Sequence, residues 1–326
     1  CPSQRTAGLN VLLSRPLLRF VRDARRINFM RGRHLGLIVS AALPIAPVIL
    51  FFQPGLKLGL DFRGGIIVEA QTPGAADFGK LRSALEKAGI HPDAVQAFGS
   101  PRDVRISINA PEGADREAQT QKLVDGVKTA ISAAEPGTQV LRADAVGASV
   151  SSELFRDGLL ALGFSLAMIL AYIWIRFERE FAISAVITLI LDLTKTVGFL
   201  AITRFEFDLV MVAALLTILG YSTNDKVVVY DRIRENLRKY RTMPLRELLD
   251  LSINETLNRT LGTSMTVFLA ALPLALFGGS TLTGFATVML FGIVVGTSSS
   301  IFIAAPLLLL MGEKRLRKGG STPEAE

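Results

Sequence analysis

The sequence predicts a polytopic α-helical membrane protein with six transmembrane helices and an extracytoplasmic ferredoxin-like α+β domain between the first and second. Three observations carry this. Half of the 326 residues are apolar and the mean hydropathy is +0.41, too hydrophobic for a soluble chain whose apolar positions alternate with polar ones. Six segments, 34–53, 158–175, 181–201, 207–228, 260–278 and 284–311, approach the roughly 20 apolar residues that cross about 30 Å of hydrocarbon as helix. The stretch 54–157 breaks that pattern, with near-balanced charge and the composition of a soluble domain.

Composition narrows the chemistry. The single cysteine, Cys1, excludes an intramolecular disulfide, and no CxxC or Cys/His cluster offers a metal site. A chain opening on Cys instead of Met is expected to have been trimmed rather than lipidated. The arm 1–33 carries arginines from Arg5 to Arg33 and runs into a full-length span, so that span reads as a signal anchor and not as a cleavable leader. A formal charge of +7 and a pI near 9.7 would suit nucleic acid, but location argues against it. The positives gather at one set of span ends: the arm, Arg176 and Arg179, the loop 229–259, and the tail 312–326 with Lys314, Arg315, Arg317 and Lys318. The loop 278–284 has none. This is the positive-inside pattern, with both termini cytoplasmic, the insert outside, and membrane lipid rather than nucleic acid as the basic loops' neighbour.

Within the insert, GIIVEAQ (65–71) reads as a strand and AADFGKLRSALEKAG (75–89) as an amphipathic helix stopped by Gly89. DAVQAFG (93–99) and DVRISIN (103–109) read as strands meeting at SPR, DREAQTQKLVDGVKTAISAA (115–134) as a second helix, and TQVLRADAVG (138–147) as a last strand. The order β-α-β-β-α-β is the split βαβ pattern, which by itself names no ligand. In the loop 229–259, YDRIRENLRKY continues the fourth span outward. Pro244 then opens a helix whose Leu245, Leu248, Leu249, Ile253 and Leu257 share one face, and it is expected to lie along the membrane surface. Gly292 and Gly296, with Ser299 and Ser300 beyond, mark a close helix contact in the sixth span rather than chemistry.

Ionisable residues inside spans cost roughly 2.5–3.5 kcal/mol each and are functional candidates by default. On the third span Ser184, Thr188, Asp192, Lys195 and Thr196 share a face; on the fourth, Thr217, Tyr221, Asn224 and Asp225; on the fifth, Arg259, Gly262, Thr263 and Thr266. Three such stripes are all buried only if they face one another. Asp225 and Arg259 lie at similar depth on antiparallel helices and are expected to meet, with Tyr221, Asn224 and Thr263 lining the pair. A carboxylate poised between a guanidinium and desolvation is suited to take a proton from one side and release it to the other, and Asp192 and Lys195 of the third span are expected to join Asp225 and Arg259 in that relay. Blander readings stand beside this one. Asp192 and Lys195, at i and i+3, neutralise one another as a packed pair; Arg259 is the positive flank of its span; Lys226 snorkels to the surface and takes no part.

The segments GLDFRGG (59–65), AVGASVSSEL before the second span, GYSTNDKVVVYDRIREN and SINETLNRT (252–260) resemble, in order and spacing, the motifs of the SecF family, from Ile27 to Leu310. The resemblance implies half of a resistance-nodulation-division type transporter in the bacterial inner membrane. It implies a SecD subunit, the SecYEG translocon and unfolded preprotein as partners, the protons of the proton-motive force as coupling ion, and no cofactor. By position the family's relay aspartate falls on Asp225 and its essential arginine on Arg259, and Asp192 matches an aspartate frequent in the third span. Leu191 stands where histidine is expected, and Lys195 and Lys226 where small or apolar residues are usual. In GLDFRGG, Gly59, Gly64 and Gly65 would allow positive φ and close approach, and Asp61 would accept backbone hydrogen bonds.

Alternatives from other classes are a self-contained proton-coupled exporter of small molecules, a passive scaffold for the translocon, and an intramembrane protease with Asp192 and Asp225 as its dyad. A six-helix half makes no pseudo-symmetric pathway alone. A dyad shares one proton, whereas Lys195 and Arg259 nearby would keep both acids ionised, and neither HExxH nor GxSxG occurs, so no enzyme is expected.

Overall fold

The computed structural model describes residues 27–32, 55–98, 100–109 and 116–311; the first expected span (34–53), nearly all of the basic arm and the tail 312–326 lie outside them. A short helix α1 (Leu60–Arg63) leads into strand β1 (Gly65–Gln71), helix α2 (Phe78–Lys87), strands β2 (Ala94–Phe98) and β3 (Ser100–Ile108), helix α3 (Arg116–Ala134) and strand β4 (Gln139–Val146). The sheet order is β2-β3-β1-β4 with every neighbouring pair antiparallel, the split βαβ arrangement. Alternation in β1 decides which side is covered. Ile66, Val68 and Ala70 stand opposite Ile108, Ile106 and Val104 and are buried, with Leu81 and Leu85 of α2 and Val127 and Ile131 of α3 packed on them. Asp77 caps α2 by accepting from the Lys80 N–H at 3.0 Å, and Gly89, with φ of +76°, ends it.

Five long helical runs follow: α4 (Ala148–Arg176), α5 (Arg179–Thr203), α6 (Leu209–Lys239), α7 (Leu245–Phe277) and α8 (Gly279–Ser299), the last passing through a π-turn (Ser300–Ala304) into α9 (Ala305–Met311). Among the described residues, four runs are long and apolar enough to cross a membrane: Ser149–Arg176, Arg179–Thr203, Leu245–Phe277 and Leu282–Met311. Helix α6 falls outside that set because Asn224, Asp225 and Lys226 interrupt its apolar run; its first half instead packs Met211, Leu215 and Ile218 with Val288 and Met289 of α8.

The loop 229–259 differs from its expected form. Helix α7 is continuous over 33 residues, about 50 Å at 1.5 Å per residue. The leucine face is therefore the first half of α7 and does not lie on the membrane surface. Leu245, Leu248, Leu249, Ile253 and Leu257 are buried with Val229, Tyr230, Ile233 and Leu237 of α6, because α6 carries an apolar stripe of its own and offers that face a helix. Residues 27–32 strap this hairpin: Met30 is fully buried in it and donates its N–H to Asp250 Oδ1 at 2.9 Å, and Asn254 bonds the Ile27 backbone in both directions.

Glycine decides how closely α6 and α8 approach. A Cβ on Gly292 would stand 2.4 Å from Ile218 Cδ1, and one on Gly296 3.1 Å from Ser222. Gly292→Ala is therefore expected to lower stability by about 1–3 kcal/mol through overpacking. Thermal unfolding in detergent measures this, and Ile218→Ala in the same chain is expected to recover part of the loss; equal stability of Gly292→Ala and the parent would contradict the packing described.

Candidate functional site

Along α5, Ser184, Thr188, Asp192, Lys195 and Thr196 are all buried, the face expected from their spacing. Thr188 and Thr196 bond back to the carbonyls of Ser184 and Asp192 at 2.6 and 2.8 Å, which satisfies both hydroxyls without a partner helix. Ser184 donates to the Ala304 carbonyl in the π-turn at 2.9 Å and accepts from the Tyr230 hydroxyl at 3.0 Å. The π-turn lies just before Pro306, which has no N–H for the helix ladder.

Asp192 is the centre of the cluster. Its Oδ2 accepts from Ser222 Oγ at 2.8 Å, Lys226 Nζ at 2.9 Å and Ser299 Oγ at 2.7 Å, so α6 and α8 both close on α5 through one oxygen. Its Oδ1 has no hydrogen-bond partner among the described residues. Lys226 is completely buried and also bonds Ser222 Oγ. Here the structure corrects the sequence reading twice. Lys226 does not snorkel: Ser222 and Lys226 share a face of α6 at the four-residue step, and α8 covers that face with Gly296 and Ser299, leaving the stem no route to a surface. Lys195 does not neutralise Asp192 as an i, i+3 pair; it is buried but forms no ion pair among the described residues. Ser299, expected to serve packing alone, is a ligand of the carboxylate.

Asp225 is a separate site on the same helix. It is 1 % exposed, and its only hydrogen-bond partners among the described residues are Ser264 Oγ and Thr297 Oγ1, each 3.4 Å from Oδ2 and 2.7 Å from one another. Both contacts to the acid exceed the usual length of an O–H···O bond. Arg259 is exposed and makes no ion pair among the described residues, so the expected Asp225–Arg259 contact is not formed. The register of α7 explains this. Its inward face is Ser252, Thr256, Thr260 and Ser264, each four residues on, whereas Arg259, Thr263 and Thr266 follow a neighbouring line turned outward. On α6 the inward line is Ser222, Asp225, Lys226 and Val229; Thr217 and Asn224 are exposed, and the Tyr221 hydroxyl has no hydrogen-bond partner among the described residues. Of the expected lining residues, Asn224 lies on the outer side of the α6–α7 pair, whereas Tyr221 and Thr263 are half-buried and the Tyr221 hydroxyl is turned inside. Sequence spacing missed Ser222, Ser264, Thr297 and Ser299, and the four-residue steps Ser222–Lys226 and Thr260–Ser264 were the available signal.

The GLDFRGG turn meets the first end of α6. Gly59 donates its N–H to Phe207 O at 2.8 Å, and Phe207 donates to Lys57 O at 2.7 Å. Asp61 Oδ2 accepts the Leu209 N–H at 3.1 Å, and a Cβ on Gly59 would stand 2.9 Å from Asp208 Cβ. Gly64 and Gly65 have φ of 72° and 123°, conformations that L side chains rarely adopt.

Residues 126–314 match the family described as protein export membrane protein SecD/SecF, C-terminal, and residues 49–72 match the SecD/SecF GG motif. The chain is 39% identical over 302 residues to the protein translocase subunit SecF of Rickettsia bellii, covering 92% of this chain and 98% of that one. It is 40% identical over 308 residues to the subunit of the same name from Rhodobacter capsulatus, covering 91% and 92%. Its fold is similar to the crystal structure of SecDF, a translocon-associated membrane protein from Thermus thermophilus, with TM-score 0.78 and 31% identity over 93% of this chain. It is also similar to SecDF in a super-membrane-facing form, with TM-score 0.66 and 32% identity. The chain spans 41% and 40% of the length of those two chains.

Removing one partner of a buried ion pair strands the other charge. Lys226→Met is expected to cost about 3–5 kcal/mol, with Asp192→Leu in the same chain restoring most of it and Lys195→Met costing far less. Thermal unfolding of the four proteins checks the order; equal losses for Lys226→Met and Lys195→Met would contradict the pairing.

Proposed function

The chain belongs to the SecD/SecF family of protein-export membrane proteins, and we propose that it couples the proton-motive force to preprotein export through Asp225. It is a SecF-type, non-enzymatic translocase subunit, a multi-pass inner-membrane protein with a periplasmic domain. The proposal extends this to six spans, with 34–53 the first and α6 among them, both termini cytoplasmic and the sheet domain periplasmic.

The observation that carries the proposal is the contrast between the two buried acids. Asp192 has an ammonium and two hydroxyls on one oxygen, whereas Asp225 has two long hydroxyl contacts and no cation in ion-pair reach among the described residues. A proton arriving at Asp192 would break a completed pair. One arriving at Asp225 removes an uncompensated charge and supplies a donor to Ser264 or Thr297. Asp225 is therefore the proton-exchanging group and Asp192 the fixed one. Arg259 acts from the other side. With Thr217, Asn224 and Thr266 it makes a polar surface at span depth, costly against lipid. A SecD subunit covering that surface would bury the guanidinium and set it within influence of the relay. The SecYEG translocon and an unfolded preprotein are the partners beyond SecD.

The test is export into proteoliposomes holding the protein with SecD and SecYEG, with and without a pH gradient. Asp225→Asn is expected to bring export down to the gradient-free level while the complex stays intact by co-purification; gradient-stimulated export by an intact Asp225→Asn complex would refute the proposal.

A further inference from the structure

Between α5 and α6 the chain makes a short turn, 204–208, at the end of the membrane helices nearest the sheet domain. Several contacts converge on it and on the first residue of α6. Glu206 Oε1 accepts from Arg105 Nη1 at 2.9 Å and lies 3.0 Å from Lys57 Nζ. Arg105 belongs to β3 and is held on its other side by Glu69 of β1, at 3.1 and 2.9 Å, with its guanidinium 3.6 Å from the centroid of the Phe98 ring of β2. One side chain therefore ties three strands of the sheet to the turn. Leu58 and Phe207 form a parallel β-bridge, and Arg204 Nη1 donates to Gly55 O at 2.9 Å. Asp61 reaches across to accept the Leu209 N–H, while Asp208 accepts that of Met211 at 2.8 Å, so the first turn of α6 has one carboxylate from its own chain start and one from the root of the sheet domain. Phe62, next to Asp61, is buried against Phe155 and Phe207 at ring distances of 5.3 and 5.4 Å.

These contacts form one wall of a cleft of about 810 Å³ between the uncovered face of the sheet and the helix ends, lined by Arg105 and Glu206 together with Leu141, Phe205, Leu276 and Phe277. The sheet domain is thus held to the membrane helices at its root and at Glu206, with the cleft separating its uncovered face from the helix ends beyond them.

We infer that the turn 204–208 is the joint through which α6 moves the sheet domain, with Glu206 and Asp61 as its positioning residues. This rests on the proposed role of Asp225. Helix α6 carries Asp225 at its middle and begins at the joint. A shift or rotation of α6 displaces Leu209 and Glu206; Arg105 follows through its part-buried 2.9 Å bond to Glu206 and Asp61 through its bond to the Leu209 N–H; β1 starts two residues after α1 and takes the sheet with it.

The joint is tested in proteoliposomes containing the protein with SecD, with donor and acceptor dyes on Glu86→Cys in α2 and Arg179→Cys at the far end of α5, in a Cys1→Ser background. An imposed pH gradient is expected to change the transfer efficiency of the parent and to leave Asp225→Asn unchanged. Glu206→Gln and Asp61→Ala are each expected to reduce that change at least twofold while gradient-dependent hydrogen exchange around Asp225 persists, and Glu206→Asp to retain it. Arg105→Gln serves as a second probe of the same bond, and combined with Glu206→Gln it should add no further loss. Full-size changes in Glu206→Gln, Asp61→Ala and Arg105→Gln would overturn the joint and leave the proton-driven reading standing. No change in the parent, or a change that survives Asp225→Asn, would overturn that reading and the joint with it.

Discussion

The buried pair of Lys226 and Asp192 is the constraint on which the arrangement of the membrane helices depends. A charge taken out of water is tolerable only when its partner and its hydrogen bonds come with it. Here the carboxylate is on α5, the ammonium and one hydroxyl on α6, and the other hydroxyl on α8. One oxygen therefore sets the relative depth of three helices. The rest of the packing is consistent with that register: Gly296 lies against Ser222, one turn from Lys226, and Gly292 against Ile218 one turn further on. Larger residues at these glycines would hold α8 away and leave Ser299 short of the carboxylate.

The same helix keeps two charges apart by a single residue. Asp225 and Lys226 are about 100° apart around α6, so one faces Ser264 and Thr297 while the other faces Asp192 and Ser299. They are neighbours in sequence and belong to different environments. That separation lets one acid hold an ammonium on one of its oxygens while the other acid lacks a cation among the described residues. It also explains why a lysine beside the acid does not neutralise it by direct contact: its ammonium is already committed on the other side of α8.

Much of this was legible in the sequence, and the failures have a common cause. Strand β1 was read to the residue because its alternation and its flanking glycines are unambiguous. The buried stripe of α5 was equally plain, since nearly all its polar residues lie on one side. Helix α7 has two lines of polar residues four apart, Ser252–Thr256–Thr260–Ser264 and Arg259–Thr263, and spacing alone does not say which faces inward. The arginine drew attention to the wrong line. Lys226 was misread because snorkelling is judged from distance to a helix end, whereas its fate was decided by α8, a helix far away in the chain. The continuity of α7 was hidden for a similar reason: an amphipathic stretch looks the same whether lipid or another helix receives its apolar face.

Magnitudes indicate which contacts would move in the proposed cycle. One charge crossing 100 mV supplies roughly 2.3 kcal/mol. Breaking a buried ion pair by removing one partner costs about 3–5 kcal/mol, more than one proton provides at that potential. A hydrogen bond of ordinary strength is worth about 0.5–1.5 kcal/mol net, and those at Asp225 are longer than ordinary. The Lys226–Asp192 pair is thus on the side of the ledger that a single proton leaves intact, and the Ser264 and Thr297 contacts are on the side it can exchange. Motion of α6 is then a pivot about its fixed pair on α5 with altered seating against α7 and α8. For a rigid helix of 31 residues, about 46 Å long, a small change of seating near Asp225 is carried to its first turn.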